Sequence, residues 1–569
     1  MIKRVFSISL LAVILPSFAF SQTDIELVYQ SLLGGNGNDG VLSITELSPD
    51  SIIVFGNTES TNMEMINPVQ GWNQGGSDAY LAVLNETGEP VLTTYWGGSE
   101  NDQVSAVSAS DQNDILIAGS TFSQDFPIFS DNSVEFDGFN MGFISKFNED
   151  LDVVFSILVG GDGQDAVNAI SVDEEGNIYI AGITTSIDQG TPGTFQPVLN
   201  NPENTSGFIA KYSPTGEKLW YTYIEGSGIT FVGGLEILPN AESVIAYGYT
   251  TGEIPADNPI HQPNFEGGQD CILTSFDINS GTMNWFTYYG GNNEEFGSNI
   301  SIDSDENIYI VGETDSGENI STTGSYQEVI NGFSDFFLAK FSSEGERLWG
   351  TYFGAAITEF IPKLSEISNG EFYLTGRTQS ETGLAYGNPI LASVDLPSIF
   401  SNSSVLAKFS DDGDLIWSTY APESHPCGIM METILVGSKL YSSGAFPLNS
   451  DPDCYGLTED AYQIIHGGGF RDFGIFIYEE NFLSTSFPQA EPLTVYPNPA
   501  QDQVTIEAPN LLWAGMDLTV TDLSGRQVDR VARFQSGNTY SMGHLSEGVY
   551  ILTGQIGERM FRQKLVVQR

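Results

Sequence analysis

The sequence predicts an all-β fold: a seven-bladed β-propeller of four-stranded blades, closed by its N- and C-terminal strands and followed by a small β-sandwich. Three observations carry that expectation. A unit of roughly 64 residues recurs over most of the 569-residue chain. Each copy holds four short strand patterns, and no convincing amphipathic helix follows the first 22 residues. The two ends of the repeat array are ragged in complementary ways.

The marker of the repeat is a short apolar strand that ends in Gly-x-Thr. It reads "IIVFGNT" to Thr58, "ILIAGST" to Thr121, "IYIAGIT" to Thr184, "VIAYGYT" to Thr250, "IYIVGET" to Thr314 and "FYLTGRT" to Thr378. A degraded seventh copy is "LYSSGAF", with Gly444 in the glycine place. A strand pair follows each marker after a connection of variable length, as in "DAYLAVLNETGEPVLTTYWGG" and "GFIAKYSPTGEKLWYTYIEG". Each pair alternates apolar and polar residues around a glycine-bearing turn, which is the pattern of a hairpin. The fourth strand precedes the marker, as "AVNAISVD" does before "EEGN".

Closure is read from the ends. The array begins at "IELVYQSLLGG", the counterpart of "KLWYTYIEG", without the strand that should precede it. It ends at "RDFGIFIYEEN", the counterpart of "DFFLAKFSSEG", without the strand that should follow. A ring lets the first strand complete the last blade and removes two exposed edges. An open solenoid has no use for such ends.

The units resemble the SBBP-type β-propeller repeats, whose strand pair and marker are matched by "GGSDAYLAVLNETGEPVLTTYWGGSENDQVSAV" and "DEEGNIYIAGIT". The resemblance covers about Ile25 to Asn481. It implies an extracellular propeller and no agreed reaction.

The last 79 positions differ in character. "LTVYPNPAQDQVTIEA", "MDLTVTDLSGRQV" and "YSMGHLSEGVYILTGQIGERMFRQKLVVQR" read as six or seven alternating strands of a small sandwich. The segments "YPNPA" at Tyr496–Ala500, "DLSGR" at Asp522–Arg526, "L..GVYIL" at Leu545–Leu552 and "KLVV" at Lys564–Val567 resemble the type A C-terminal sorting domain of the Bacteroidota type IX secretion system. That resemblance implies the secretion machinery as a partner, with export across the outer membrane and either release or surface attachment.

The start, "MIKRVFSISLLAVILPSFAFSQ", places Lys3 and Arg4 before an apolar run and Ala19-Phe20-Ser21 after it, the pattern of a secretory signal peptide. The expected organisation is therefore a signal peptide over 1–21, the propeller over 22–484, a linker over 485–490 and the sorting domain over 491–569. No later apolar run is long enough to suggest a transmembrane segment in the mature chain.

The formal net charge is −55, and it is unevenly placed. Residues 22–490 hold 10 Lys and Arg against 66 Asp and Glu, whereas residues 491–569 hold 7 against 8. Such a body repels nucleic acid and anionic lipid, so neither is an expected partner. Three cysteines are too few for a disulfide framework. Cys427 and Cys454 are a possible disulfide within one repeat, and Cys271 in "DCILTSF" reads as a small buried residue.

The stretch "GGDGQD" at Gly160–Asp165 invites a calcium-loop reading. Its copies recur too far apart to stack as successive calcium-binding turns, and strands rather than helices flank it. It also lacks the Gly-Lys-Ser/Thr of a phosphate loop. A structural corner is the economical reading. The corners nonetheless bring Asp39, Asp102, Asp165, Thr230, Glu295 and Glu359 to equivalent places, with Pro426 in the seventh. The five acidic residues would form a partial ring near one mouth of the channel. Three roles are open to them: bonding to their own corners, holding a structural cation such as Ca2+, or meeting a ligand.

Trp220, Trp285, Trp349 and Trp417 recur in the outer strands, where packing between blades competes with glycan stacking. A glycan platform is better sought in the irregular loops, at Trp72, Phe126, Phe129 and Phe136. The four histidines make no HExxH or other close metal pair, and there is no GxSxG elbow. A glycosidase would need only two carboxyls, which keeps that class open.

The first expectation is a secreted or cell-surface, non-enzymatic propeller whose loops bind a glycan or a surface protein. The alternatives are an extracellular carbohydrate-active enzyme with acids at the channel mouth, and a purely structural surface protein.

Overall fold

The structure is a computed structural model. It describes residues 23–567 with breaks, the longest at 397–401, 422–428, 448–462, 483–490, 497–502 and 508–514. The expected signal peptide and linker, Pro426, Cys427 and Cys454 lie outside the described residues. The chain divides into two compact units: Ile25–Glu480, and a smaller one that holds Asn481–Arg569.

The larger unit is a seven-bladed propeller, and no helix occurs among the described residues. In blade 3, for example, Asp165–Val172 is the inner strand, followed outward by Ile178–Thr184, Ser206–Tyr212 and Lys218–Ile224. All three neighbouring pairs are antiparallel. Blade 7 is built differently. Ile429–Val436, Lys439–Pro447 and Arg471–Phe482 come from the end of the array, and Thr23–Leu33 from its start is the outermost strand. The ring is thus closed by the complementary ends, and the inner strand of blade 7 packs on that of blade 1.

The glycine of the marker has a specific cause. Every inner strand carries a register shift, as between Val104 and Ala106, Val167 and Ala169, or Val232 and Gly234. Such a bulge pushes the carbonyl before it toward the neighbouring strand. Gly182 lies opposite, and an added Cβ there would overlap the carbonyl oxygen of Ala166. Gly119 and Gly248 stand in the same relation to Gln103 and Phe231.

Blades are joined through their outer aromatics. The Trp220 ring of blade 3 lies on Gly281 in the hairpin of blade 4, and its indole N–H donates to the Ile278 carbonyl at 3.1 Å. Trp285 repeats the arrangement with Gly345 and Ser343 O (2.9 Å), and Trp349 with Gly413 and Asp411 O (3.0 Å). The tryptophans therefore serve packing between blades. Third-strand lysines add to it: the Lys211, Lys340 and Lys408 ammonium groups sit over Tyr179, Tyr309 and Tyr373 of their own blades, 4.9–5.1 Å from the ring centroids, and Lys211 and Lys340 donate to the Ile278 and Asp411 carbonyls of the next blade at 3.3 Å. Cys271 is fully buried and free, in contact with the Tyr247 hydroxyl at 3.4 Å.

The smaller unit pairs a five-stranded with a three-stranded sheet. Val504, Ile506, Leu518, Val520, Leu552 and Leu565 fill the space between them, the arrangement of a small sandwich.

Candidate functional site

Strand parity places two sets of segments at the same mouth of the ring. One set is the corners, where the outermost strand of a blade crosses to the next inner strand. The other is the long connections from second to third strands.

The corner at "GGDGQD" is closed by hydrogen bonds. Asp165 accepts from the Gly161 N–H at 3.0 Å, the Thr184 hydroxyl at 2.6 Å and the Ser186 hydroxyl at 2.6 Å. The Gly163 and Gln164 N–H groups donate to Ser186 Oγ and Thr185 Oγ1, both at 2.8 Å. Asp39 is bound in the same way by Gly35 N, the Thr58 hydroxyl and the Ser60 hydroxyl. Asp102 accepts from Gly98 N and Ser123, Glu295 from Gly291 N and Thr314, and Glu359 from Ala355 N and Thr378. All five acids are at most 2% exposed. Burial pushes each above the usual carboxylate range, against the lowering effect of these bonds.

The five carboxyls are thus five separate corner locks. Among the described residues, no three His, Cys, Asp or Glu side chains converge at metal-binding spacing. The marker can now be read in full: its glycine clears the bulge, its threonine reaches the acid of its own blade, and a serine two residues later completes the lock. Sequence reasoning found the acids but missed Ser60, Ser123 and Ser186, although their fixed offset from the threonines was visible.

A second acid recurs at the head of the third strand. Asp78 accepts from Gln70 Nε2 (3.1 Å) and Gln74 N (2.9 Å); Asp270 accepts from Gln262 Nε2 (3.1 Å) and Glu266 N (2.8 Å). Asp335 repeats it with Gln327 and Asn331. Blade 3 departs from the pattern in a correlated way. Ser206 replaces this acid, and Glu225 enters from the outermost strand to take the Gln196 and Asn200 bonds. At the same junction Thr230 replaces the inner acid and Gly252 the serine. One chain thus contains both the two-acid corner and a substitute with a single carboxyl, Glu225.

The long connections do not simply project. Each runs along the outermost strand of its blade and pairs with that strand's free edge. Tyr95, Tyr223, Tyr288, Tyr352 and Tyr420 donate their N–H groups to Gln70, Gln196, Gln262, Gln327 and Leu391, and Leu32 donates to Gln463 in blade 7. In blade 2 the Phe129 N–H donates to Ser156 O at 3.0 Å. The loops therefore cover seven edges that would otherwise invite pairing with another chain.

Their side chains divide accordingly. Phe126 is buried against Phe143 and Trp96, and Phe136 packs on the same core. Trp72 (65% exposed) and Phe129 (55%) reach solvent, although Phe129 also stacks on Trp96. Two residues that sequence reasoning passed over are more exposed still: Phe139 at 70% and Phe333 at 78%. They hold equivalent places in blades 2 and 5, and their N–H groups bond to the corner carbonyls of Gly163 and Ile357. Phe139 meets Phe122 edge-on at 5.5 Å.

Within the channel, the inner strands of the seven blades surround a cavity of about 270 Å³ lined by Ser43, Asn168, Asn299, Lys363 and Glu432, among others. Glu432 accepts from the Ser43 hydroxyl and the Ile44 N–H; burial raises its pKa and the Lys363 charge opposes the rise. His261 packs against Tyr289 and Phe341, and burial with the nearby Arg347 charge lowers its pKa to about 4, so it is neutral at pH 7.

Comparison with known proteins agrees with this architecture at two places. Residues 494–568 match the family model described as a secretion system C-terminal sorting domain, and residues 284–319 match that of the SBBP beta-propeller repeat. An uncharacterized WD repeat-containing protein of Acanthamoeba polyphaga mimivirus is 22% identical over 332 residues, 48% of this chain and 24% of that protein. The chain thus spans about a quarter of that curated relative's length. Among solved structures, the Neurospora crassa Pan2 WD40 domain is 8% identical, with 66% of this chain and 89% of that one covered and a TM-score of 0.33. A europium-containing methanol dehydrogenase is 11% identical, with 80% and 93% covered and a TM-score of 0.36. The sorting domain implies interaction with the secretion machinery. The chain thus carries an SBBP-type β-propeller repeat and a type IX secretion C-terminal sorting domain, and is secreted or held at the cell surface.

Proposed function

We propose that the propeller is an extracellular binding module whose loop-bearing face takes up a glycan or a surface protein. The observation that carries this reading is the set of aromatic rings left in solvent on segments whose backbones are tied down. Phe139, Phe333 and Trp72 are each exposed beyond half of their area. Rings held by a fixed backbone lose little freedom on binding and offer faces on which a sugar or an apolar side chain can stack. The net charge of the body disfavours anionic partners, so a neutral or basic ligand fits best.

The competing reading, hydrolysis by paired acids, would use carboxyls that are buried and bonded within the corners. Burial keeps them from a substrate, which favours binding. The experiment is incubation of the secreted chain with a panel of neutral and amino-sugar polysaccharides and with surface-protein extracts. Retention without release of new reducing ends supports the binding module. Release of reducing ends would replace it with the enzyme, and the absence of any retention would reject it.

A further inference from the structure

At two blade junctions, two buried carboxyls meet across a single glycine. A Cβ added to Gly97 would lie 2.7 Å from Asp102 Oδ2 and 2.7 Å from Asp78 Oδ1. Gly290 stands in the same place between Glu295 Oε2 and Asp270 Oδ1. All four acids are fully buried. The hydrogen bonds from glutamine and backbone reach only Oδ2 of Asp78 and Asp270. Oδ1 of each, the atom that faces the glycine, has no hydrogen-bond partner. A buried carboxylate oxygen without a donor is unfavourable, so a donor is expected there.

We infer that Asp78 and Asp102, and likewise Asp270 and Glu295, each share one proton, carried on the Oδ1 side of the third-strand aspartate and directed at the inner-strand acid. The shared proton turns two repelling charges into one charge and a hydrogen bond. Loss of the proton to solvent leaves two anions in one buried corner and loosens the junction. The propeller is thereby locked by acid and eased by base.

The surroundings offer no other compensation. Asp125 and Tyr95 face the first pair; Glu266, Asp315, Cys271, Tyr247, Tyr288 and Tyr352 face the second. None of these carries a positive charge. Two carboxyls fall well short of the six to eight oxygens that a calcium ion takes. The junction of blades 3 and 4, where Ser206 and Thr230 replace both acids and Glu225 alone takes the glutamine and backbone bonds, shows that the fold accepts a single carboxyl there. Burial, with the neighbouring acid, moves both Asp78 and Asp270 up to about 7, consistent with a retained proton.

The sign follows by linkage. A folded-state pKa above the unfolded one means that the native chain binds more protons between the ordinary carboxylate range and about 7. Stability from the pair is then complete in acid and is lost as pH rises through about 7. Between pH 5.5 and 7 each junction should cost about fifteenfold in the folding equilibrium.

The test is the unfolding equilibrium of the full chain from pH 5.5 to 8.5, in low and in high salt, for the wild type, Asp78→Asn and Asp270→Asn. Salt screens the general repulsion of a −55 protein but not a buried pair. The expected result is a fall in stability with rising pH that persists in high salt and is shallower in each variant. Proton release on unfolding at pH 6 gives a readout that stands even if one variant fails to fold. A slope abolished by salt, or unchanged in both variants, would overturn the inference. So would a stability at pH 8.5 that calcium restores in the wild type alone, since the pair would then hold a cation.

Discussion

The Tyr29 ring packs on Gly88: a Cβ added to that glycine, which has φ of +84°, would lie 2.5 Å from Tyr29 Cε1. Tyr29 belongs to the first strand of the array and Gly88 to the hairpin of blade 1. The contact repeats that of Trp220 on Gly281 between blades 3 and 4. The strand borrowed from the N-terminus therefore closes its own blade and also seals the joint with the next.

Substitution Gly88→Ala tests that joint. It combines a left-handed backbone with overlap against a ring, and should destabilise by about 2–4 kcal/mol. Removal of residues 23–33 is the harsher form, because it bares the edge of Arg471–Phe482 and its apolar neighbours. Size-exclusion chromatography should show association of the truncated chain. A monomeric truncation with an unchanged unfolding midpoint would mean that the first strand is dispensable.

The bulge opposite the marker glycine makes a second prediction. Gly182→Ala should cost about 2–4 kcal/mol, since the Ala166 carbonyl must move or the bulge be lost. Ala181→Gly, one position away, is the control; it lacks the clash and should cost about 1 kcal/mol. Denaturant titration separates the two.

Trp285 supplies a third. Trp285→Phe keeps a ring on Gly345 and forfeits the N–H bond to Ser343 O, for about 1 kcal/mol. Trp285→Ala also empties the space between blades and should cost about 3–5 kcal/mol. Equal losses would show that the ring contributes little to the joint.

The architecture was legible in the sequence because it rests on spacing. Repeated Gly-x-Thr, alternating strands and complementary ends are all one-dimensional signals. The glycine's cause was not, because it is the carbonyl of a different strand, at Ala166 for Gly182. Asp39, Asp102, Asp165, Glu295 and Glu359 were found by their offset, yet their partners at Thr58, Ser60 or Ser186 lie one strand away and emerge only from register. The sequence shows the loops only as irregular segments carrying Trp72, Phe126, Phe129 and Phe136. The edge of each outermost strand needs partners, and that requirement draws the loops along it and buries Phe126 and Phe136. Exposure of Phe139 and Phe333 follows from that path, which no pattern of apolar residues discloses. The offset of eight residues from Gln70 to Asp78, repeated at Gln262 and Gln327, was readable and would have located the second acid of the corner.

The central claim is that the repeats' recurrent residues hold the ring while the exposed loop aromatics meet the partner. Retention of the secreted chain on its immobilised polysaccharide or protein partner, compared with the Trp72→Ala, Phe139→Ala, Phe333→Ala triple variant, tests it most directly. The account predicts at least about tenfold weaker retention, since each lost stacking contact contributes roughly 0.5–1.5 kcal/mol, with an unchanged unfolding midpoint. Equal retention by the two proteins would contradict it.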